Sequence, residues 1–358
     1  MPRIFYIVIL IASIGANLFL GIRTALFEQT LASQASNEAL RKLTEENQAR
    51  KNRQKQSSDN APSEPSSVGA LPPAGFANLF LKDIRLYWTD SIYADVQSAN
   101  ALLKSLRDDG LVDFDAPDKL EIYMQSASVA MEFQVLERLM NDRVFGHSES
   151  HVRNMIVDSV ELDGERLLRI RGELELVTWL DFEMLAKMTV SADPGVIEVT
   201  AVQIKSLGLP FVKGLLGTVG MELESLIVPA ESSGVTVKGN QILIRLSQFF
   251  PPPAVYGELN TLQLEEDGLR ITLKGKPLPS NLNTLLPAPH APHYLFAAGR
   301  FVKFGPLRLI ASSLQMIDQS VEDRFHFHVR KYFQQLDRSK ARVMLDGRVQ
   351  VFLVDFGK

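Results

Sequence analysis

The chain has 358 residues, of which 46% are hydrophobic and 22% charged, so it is long enough to bury one large core or two ordinary ones. It has no cysteine, which excludes disulfides, iron–sulfur clusters, thiolate zinc sites and a cysteine nucleophile. A formal net charge of −4 argues against a nucleic-acid partner.

The first element is apolar. Ile4 to Leu20 carries no charge over 17 residues, and extending it to Ile22 gives 19. As a helix this run is about 28 Å long, close to the roughly 30 Å hydrocarbon core of a bilayer. A cleaved signal peptide is the other reading. A cut after Gly15 would truncate the run, and a site at Ala35 lies well beyond it. The expectation is an uncleaved transmembrane anchor over residues 1–23, with the lipid bilayer as a partner. Arg3 on one side and Arg23, Arg41 and Lys42 on the other nearly balance, so the positive-inside rule decides little. A hydrophobic N-terminal segment of this kind usually directs export of the domain behind it. The expected location is the inner membrane of a bacterium, with the main domain extracytoplasmic.

Residues 24–56 are rich in Glu, Gln, Lys, Ala and Leu and read as a solvated helical stalk. Residues 57–75 hold Pro62, Pro65, Pro72 and Pro73 among serines and glycines, a flexible linker. Residues 76–358 form the globular domain.

Within that domain, Leu79 to Trp88 reads as a strand or short helix. Ala94, Val96, Ala99, Leu102, Leu103 and Leu106 suggest an amphipathic helix over 90–106. Leu120 to Met124 reads as a strand and Ser128 to Asn141 as a second helix. Five pairs of alternating runs then flank turn residues: Asp163–Gly164, Asp193–Gly195, Lys238–Asn240, Asp267–Gly268 and Asp346–Gly347. Such turns supply the positive φ of tight hairpins and predict an antiparallel sheet. Between them, Phe211 to Ile227 carries apolar residues at helical spacing with Gly214, Gly217 and Gly220 every third residue. Glycine in a helix costs up to about 1 kcal/mol, so something should approach that face closely, either the sheet or a bound acyl chain. The expected fold is α+β, with a few amphipathic helices on a large curved antiparallel sheet and an apolar groove between them.

Met131–Phe145, Val202–Leu209, Val212–Leu216, Gly234–Leu246, the prolines after Phe250 and Gly299–Phe304 together resemble a bacterial family of membrane-anchored proteins. That family is similar to the LmeA-type phospholipid-binding proteins, with a TULIP-like fold. The resemblance spans about residues 80–356. It implies a phospholipid or other acyl-chain ligand in an apolar groove, no catalysis, no cofactor and an extracytoplasmic location.

Candidate groove residues are Phe211, Leu215, Leu216, Val219, Leu223, Phe249 and Phe250. The last two stand beside three prolines that cannot enter a sheet interior. His147 and His151 are four apart but follow Gly146 in what reads as a loop, so no metal site is expected there. His326 and His328 alternate with Phe325 and Phe327, which puts both phenylalanines in the core and both histidines on a solvated strand face. Asp318, Asp323 and Asp355 fall near strand ends, where Asp is a common turn residue. No nucleophile elbow occurs, and the glycine triplet matches no phosphate cradle. Two other functions stay open: an envelope scaffold with a dry core and protein partners, and a hydrolase with a dispersed site.

Overall fold

The computed structural model describes residues 71–175, 178–207, 223–275, 291–345 and 347–358. These lie in one compact unit that begins at Val68. The anchor, the stalk, most of the linker and residues 211–222 of the helix expected from Phe211 to Ile227 fall outside the described residues; at its end Leu223–Ser225 forms a single 3-10 turn.

In chain order the strands are β1 (Phe76–Tyr87), β2 (Tyr93–Ser105), β3 (Val112–Asp113), β4 (Leu120–Glu132), β5 (Val152–Leu162), β6 (Glu165–Glu175), β7 (Trp179–Val190) and β8 (Val196–Leu207). Next come β9 (Val235–Lys238), β10 (Gln241–Arg245), β11 (Ala254–Tyr256), β12 (Glu258–Leu264) and β13 (Gly268–Lys274). The last are β14 (Tyr294–Phe304), β15 (Leu307–Asp318), β16 (Phe325–His328), β17 (Lys340–Val343) and β18 (Val349–Leu353). Three short α-helices join them: α1 (Phe133–Arg138), α2 (Leu246–Phe249) and α3 (Tyr332–Leu336). A six-residue π-helix, Leu139–Val144, continues α1.

Two sheets result. The larger has 12 strands, in the order β12-β13-β4-β2-β1-β14-β15-β18-β17, with β11, β16 and β3 attached to β4, β1 and β14. The smaller has six, in the order β5-β6-β7-β8-β10-β9. Strand takes 58% of the described residues and helix 12%, which overturns the α+β expectation: the described chain is a β protein with short helical connectors. No helix among the described residues is long and apolar enough to cross a membrane.

The misreading has a local cause. The segment read as a helix over 90–106 is the 13-residue strand β2. Its buried residues are Ala94 and Val96, then Ala99, Ala101 and Leu103. The parity changes because the register with β4 shifts between Val96 and Ser98, which leaves Gln97 as an extra residue. A period of two broken by one bulge spaces apolar residues at two, three and five, close to a helical pattern. β4 changes parity in the same way, from Ile122 and Met124 to Ala127 and Val129, across a shift opposite Asn100 and Ala101. β1 does so at Asp83, whose φ of +48° separates inward Leu81 from inward Ile84. These breaks keep one apolar face turned inward while the strands bend.

The second predicted helix is a strand as far as Glu132 and becomes helical at Phe133. All five predicted turns join antiparallel partners. At the first of them, Asp163 and Gly164 take φ values of +53° and +80°, as a two-residue hairpin requires.

Candidate functional site

The inward face of the large sheet encloses a cavity of about 120 Å³. Its walls come from β1 (Leu79, Leu81, Leu86), β2 (Ala94, Val96, Leu103), β4 (Leu120, Ile122, Met124, Val129, Met131) and β13 (Ile271, Leu273). Leu295 on β14 and Phe327 on β16 complete the sheet side. Leu246, Phe250, Pro253 and Val255 close it from the segment that carries α2 and β11. Trp88 lies flat against Phe250, ring centroids 5.1 Å apart and planes 13° apart.

Only Trp88 and Tyr332 among the lining side chains carry a nitrogen or oxygen. The Tyr332 hydroxyl is engaged, donating to Asp115 and accepting from the Gly305 amide at 2.9 Å. Burial, reinforced by the Asp115 carboxylate, pushes its phenol far above the ordinary range and keeps it neutral. Asp115 is also 2.5 Å from Lys303 Nζ. The Trp88 indole N–H is buried and has no partner. The cavity therefore offers a ligand apolar walls, and the indole N–H is not exposed to it.

An apolar void of this size is close to the roughly 150 Å³ cavity that stays dry and takes up benzene. At about 24 cal/mol per Å³, leaving it empty costs the fold about 3 kcal/mol, which an apolar guest would recover. A second apolar cavity, of about 50 Å³, lies against the smaller sheet between Leu136, Phe145, Ile170, Phe182 and Ile227.

Of the seven predicted groove residues, Phe211, Leu215, Leu216 and Val219 lie outside the described residues. Leu223 is buried but lines neither cavity: its amide donates to Asn240 Oδ1 at 3.3 Å, beside the β9–β10 turn. Phe249 is buried and meets Phe250 edge-on at 5.3 Å, and only Phe250 reaches the larger cavity. Sequence reasoning missed the sheet residues. The alternating apolar positions 79, 81 and 271, 273 carry the signal, but the bulged β2 mimics a helix and hides the rest of the wall.

The polar clusters serve other ends. On the outward face, Arg85 grips Asp95 through two hydrogen bonds of 2.6 and 2.8 Å and reaches Glu132 at 2.8 Å. Arg324 adds a contact to Asp95 at 2.6 Å. Burial works against the Asp95 charge, but the bonds and charge of Arg85 and Arg324 outweigh it and hold that carboxyl below its ordinary value. His147 and His151 point to separate partners, Val228 O at 3.1 Å and Glu175 at 3.4 Å. Phe325 and Phe327 enter the core as expected. The solvated histidine face is a correction: His328 is 1% exposed, stacks with Tyr87 and packs on Phe356 at 4.6 Å. Its burial lowers the imidazole pKa and favours the neutral ring.

No protein-family model, no curated protein sequence and no solved structure matches the chain.

Proposed function

We propose that the protein is a non-catalytic lipid-binding protein that takes part of an acyl chain into the apolar cavity of the large sheet. The observation that carries the reading is the chemistry of the lining: 24 residues, of which only Trp88 and Tyr332 carry a side-chain nitrogen or oxygen. Each methylene transferred from water to such a site contributes about 0.8 kcal/mol, so a chain binds without a cluster of polar contacts. The resemblance to LmeA-type proteins supports the same class of ligand, a phospholipid. The charge-free run 4–20 suits a protein that works at a bilayer, and a hydrophobic N-terminal segment of this kind usually exports the domain behind it, which would put the folded domain on the extracytoplasmic side.

Displacement of a fluorescent fatty acid by phospholipid tests the reading. Binding should saturate at one probe per chain, and Ala94→Leu, which fills the cavity from β2, should reduce it at least tenfold. Equal probe binding by the folded Ala94→Leu variant would place the ligand elsewhere.

A further inference from the structure

Three carboxylates from separate parts of the chain meet at one end of the large sheet. Asp318 closes β15, Asp323 precedes β16 and Asp355 follows β18, and one oxygen of each lies within 4.8 Å of the others. The fold brings them together. β15 and β18 run parallel with Asp318 opposite Leu353, so Asp355 emerges beside Asp318. Asp355 Oδ1 accepts the His326 amide at 2.8 Å, which draws in the start of β16 and, with it, Asp323.

Two of the three carboxylates have a cation. Lys358 Nζ is 2.8 Å from Asp323 Oδ2 and 2.7 Å from Asp355 Oδ2. Asp318 has none. Its Oδ1 takes the Ser320 amide at 2.9 Å, while its Oδ2 is buried with no hydrogen-bond partner, on a residue only 3% exposed. His293 is near enough to act on Asp318, but its Nδ1 faces Asp83 at 2.8 Å; His326 faces the Tyr87 hydroxyl at 3.3 Å and Arg324 faces Asp95. Three carboxylates against one ammonium leave two negative charges in excess. A buried carboxylate oxygen without a partner costs several times what an average hydrogen bond contributes.

We infer that Asp318, Asp323 and Asp355 form a binding site for one calcium ion, with Lys358 as the internal cation that competes for it. Carboxylate oxygens suit a hard cation. Three oxygens no more than 4.8 Å apart put a central ion at most about 2.8 Å from each, so a small inward movement reaches the Ca–O range of about 2.3–2.6 Å. The Mg–O bonds of about 2.0–2.1 Å would need the three groups to draw closer still. The site is independent of the apolar cavity, and its failure would leave the lipid reading untouched.

Isothermal titration of the full chain with calcium chloride tests the site, with thermal unfolding in parallel. One ion should bind per chain and raise the melting temperature. Lys358→Met should bind several-fold tighter, because the competing ammonium is gone. Asp318→Asn should bind at least tenfold more weakly. Should that variant not fold, Asp323→Asn, at a residue near the surface, must show the same loss. Absence of binding to both the unaltered protein and Lys358→Met at about 10 mM calcium, above the about 1 mM dissociation constants of weak extracellular modules, overturns the site. Calcium binding that survives in the folded Asp→Asn variants overturns it equally.

Discussion

Trp88 and Phe250 stack 5.1 Å apart at the edge of the large cavity, and they join two parts of the chain 162 positions apart. Trp88 follows β1 and Phe250 follows α2, so the stack ties the sheet to the segment that closes it. The indole keeps its N–H free while its ring is held. Such a buried donor without a partner costs the fold stability.

Trp88→Phe separates the ring from its donor. The ring stack is largely kept and the unpaired donor is removed. Stability should change by less than about 1 kcal/mol, because relief of the unpaired donor offsets the buried ring volume that is lost. Affinity for an ester-bearing lipid and for a plain alkane probe should both hold, because the N–H is not exposed to the cavity. A loss confined to the ester-bearing lipid would contradict this and show that the N–H reaches the ligand.

Ala94→Leu probes the void itself. Ala94 is 1% exposed and lines the cavity from β2. Added methyl groups that enter an existing void should stabilise the unliganded fold by about 1 kcal/mol, read as a higher urea midpoint at unchanged slope. A loss of about 2 kcal/mol or more would mean that the site is already packed.

Asp95 anchors the outward face of the bend. It receives two bonds from Arg85 and one contact from Arg324 on a side chain 15% exposed. Asp95→Ala should cost about 1.5–3 kcal/mol, because Arg85 is left with Glu132 alone and Arg324 with Asp83 at 3.8 Å. The Asp95 pKa lies below its ordinary value in the fold, so its contribution is present above about pH 4 and is lost as pH falls through the depressed value. Acid unfolding of the variant should therefore begin from a lower plateau and be shallower. A variant with the acid profile of the unaltered protein would show that Asp95 has no such role.

Asp318 has the opposite sign. Burial, with the Asp355 charge adding to it, pushes its carboxyl up to about 6 from an ordinary 3.8. A raised value favours the protonated form in the fold, so its contribution is present below about pH 4 and lost as pH rises through about 6. In calcium-free buffer, Asp318→Asn should stabilise the protein at about pH 8 by about 1–3 kcal/mol and leave it unchanged near about pH 4. Denaturant melts at the two values read the difference, and a destabilised variant at the higher pH would contradict the assignment.

The hairpins are legible in the sequence because Asp163–Gly164 and its four counterparts are local signals, each complete within a few residues. β2 is not, because the bulge at Gln97 turns a period of two into a pattern close to that of a helix. The cavity is not legible either. Its walls come from Leu79, Val96, Ile122, Ile271 and Leu295, which only the pairing of β13, β4, β2, β1 and β14 brings together. Phe250 stands out in the sequence because a run of prolines marks it as lying beside a loop. Asp318, Asp323 and Asp355 each look like a turn residue, and their meeting depends on the parallel pairing of β15 with β18, which no local pattern announces.

The central claim is that the large cavity holds an acyl chain. Native mass spectrometry of the full chain released from detergent, followed by organic extraction, tests it most directly. The expected result is a stoichiometric mass increment that extraction converts into an acyl lipid, and its loss in Ala94→Leu. A bare chain mass that stays unchanged after incubation with phospholipid vesicles would contradict the claim and favour an envelope scaffold with protein partners.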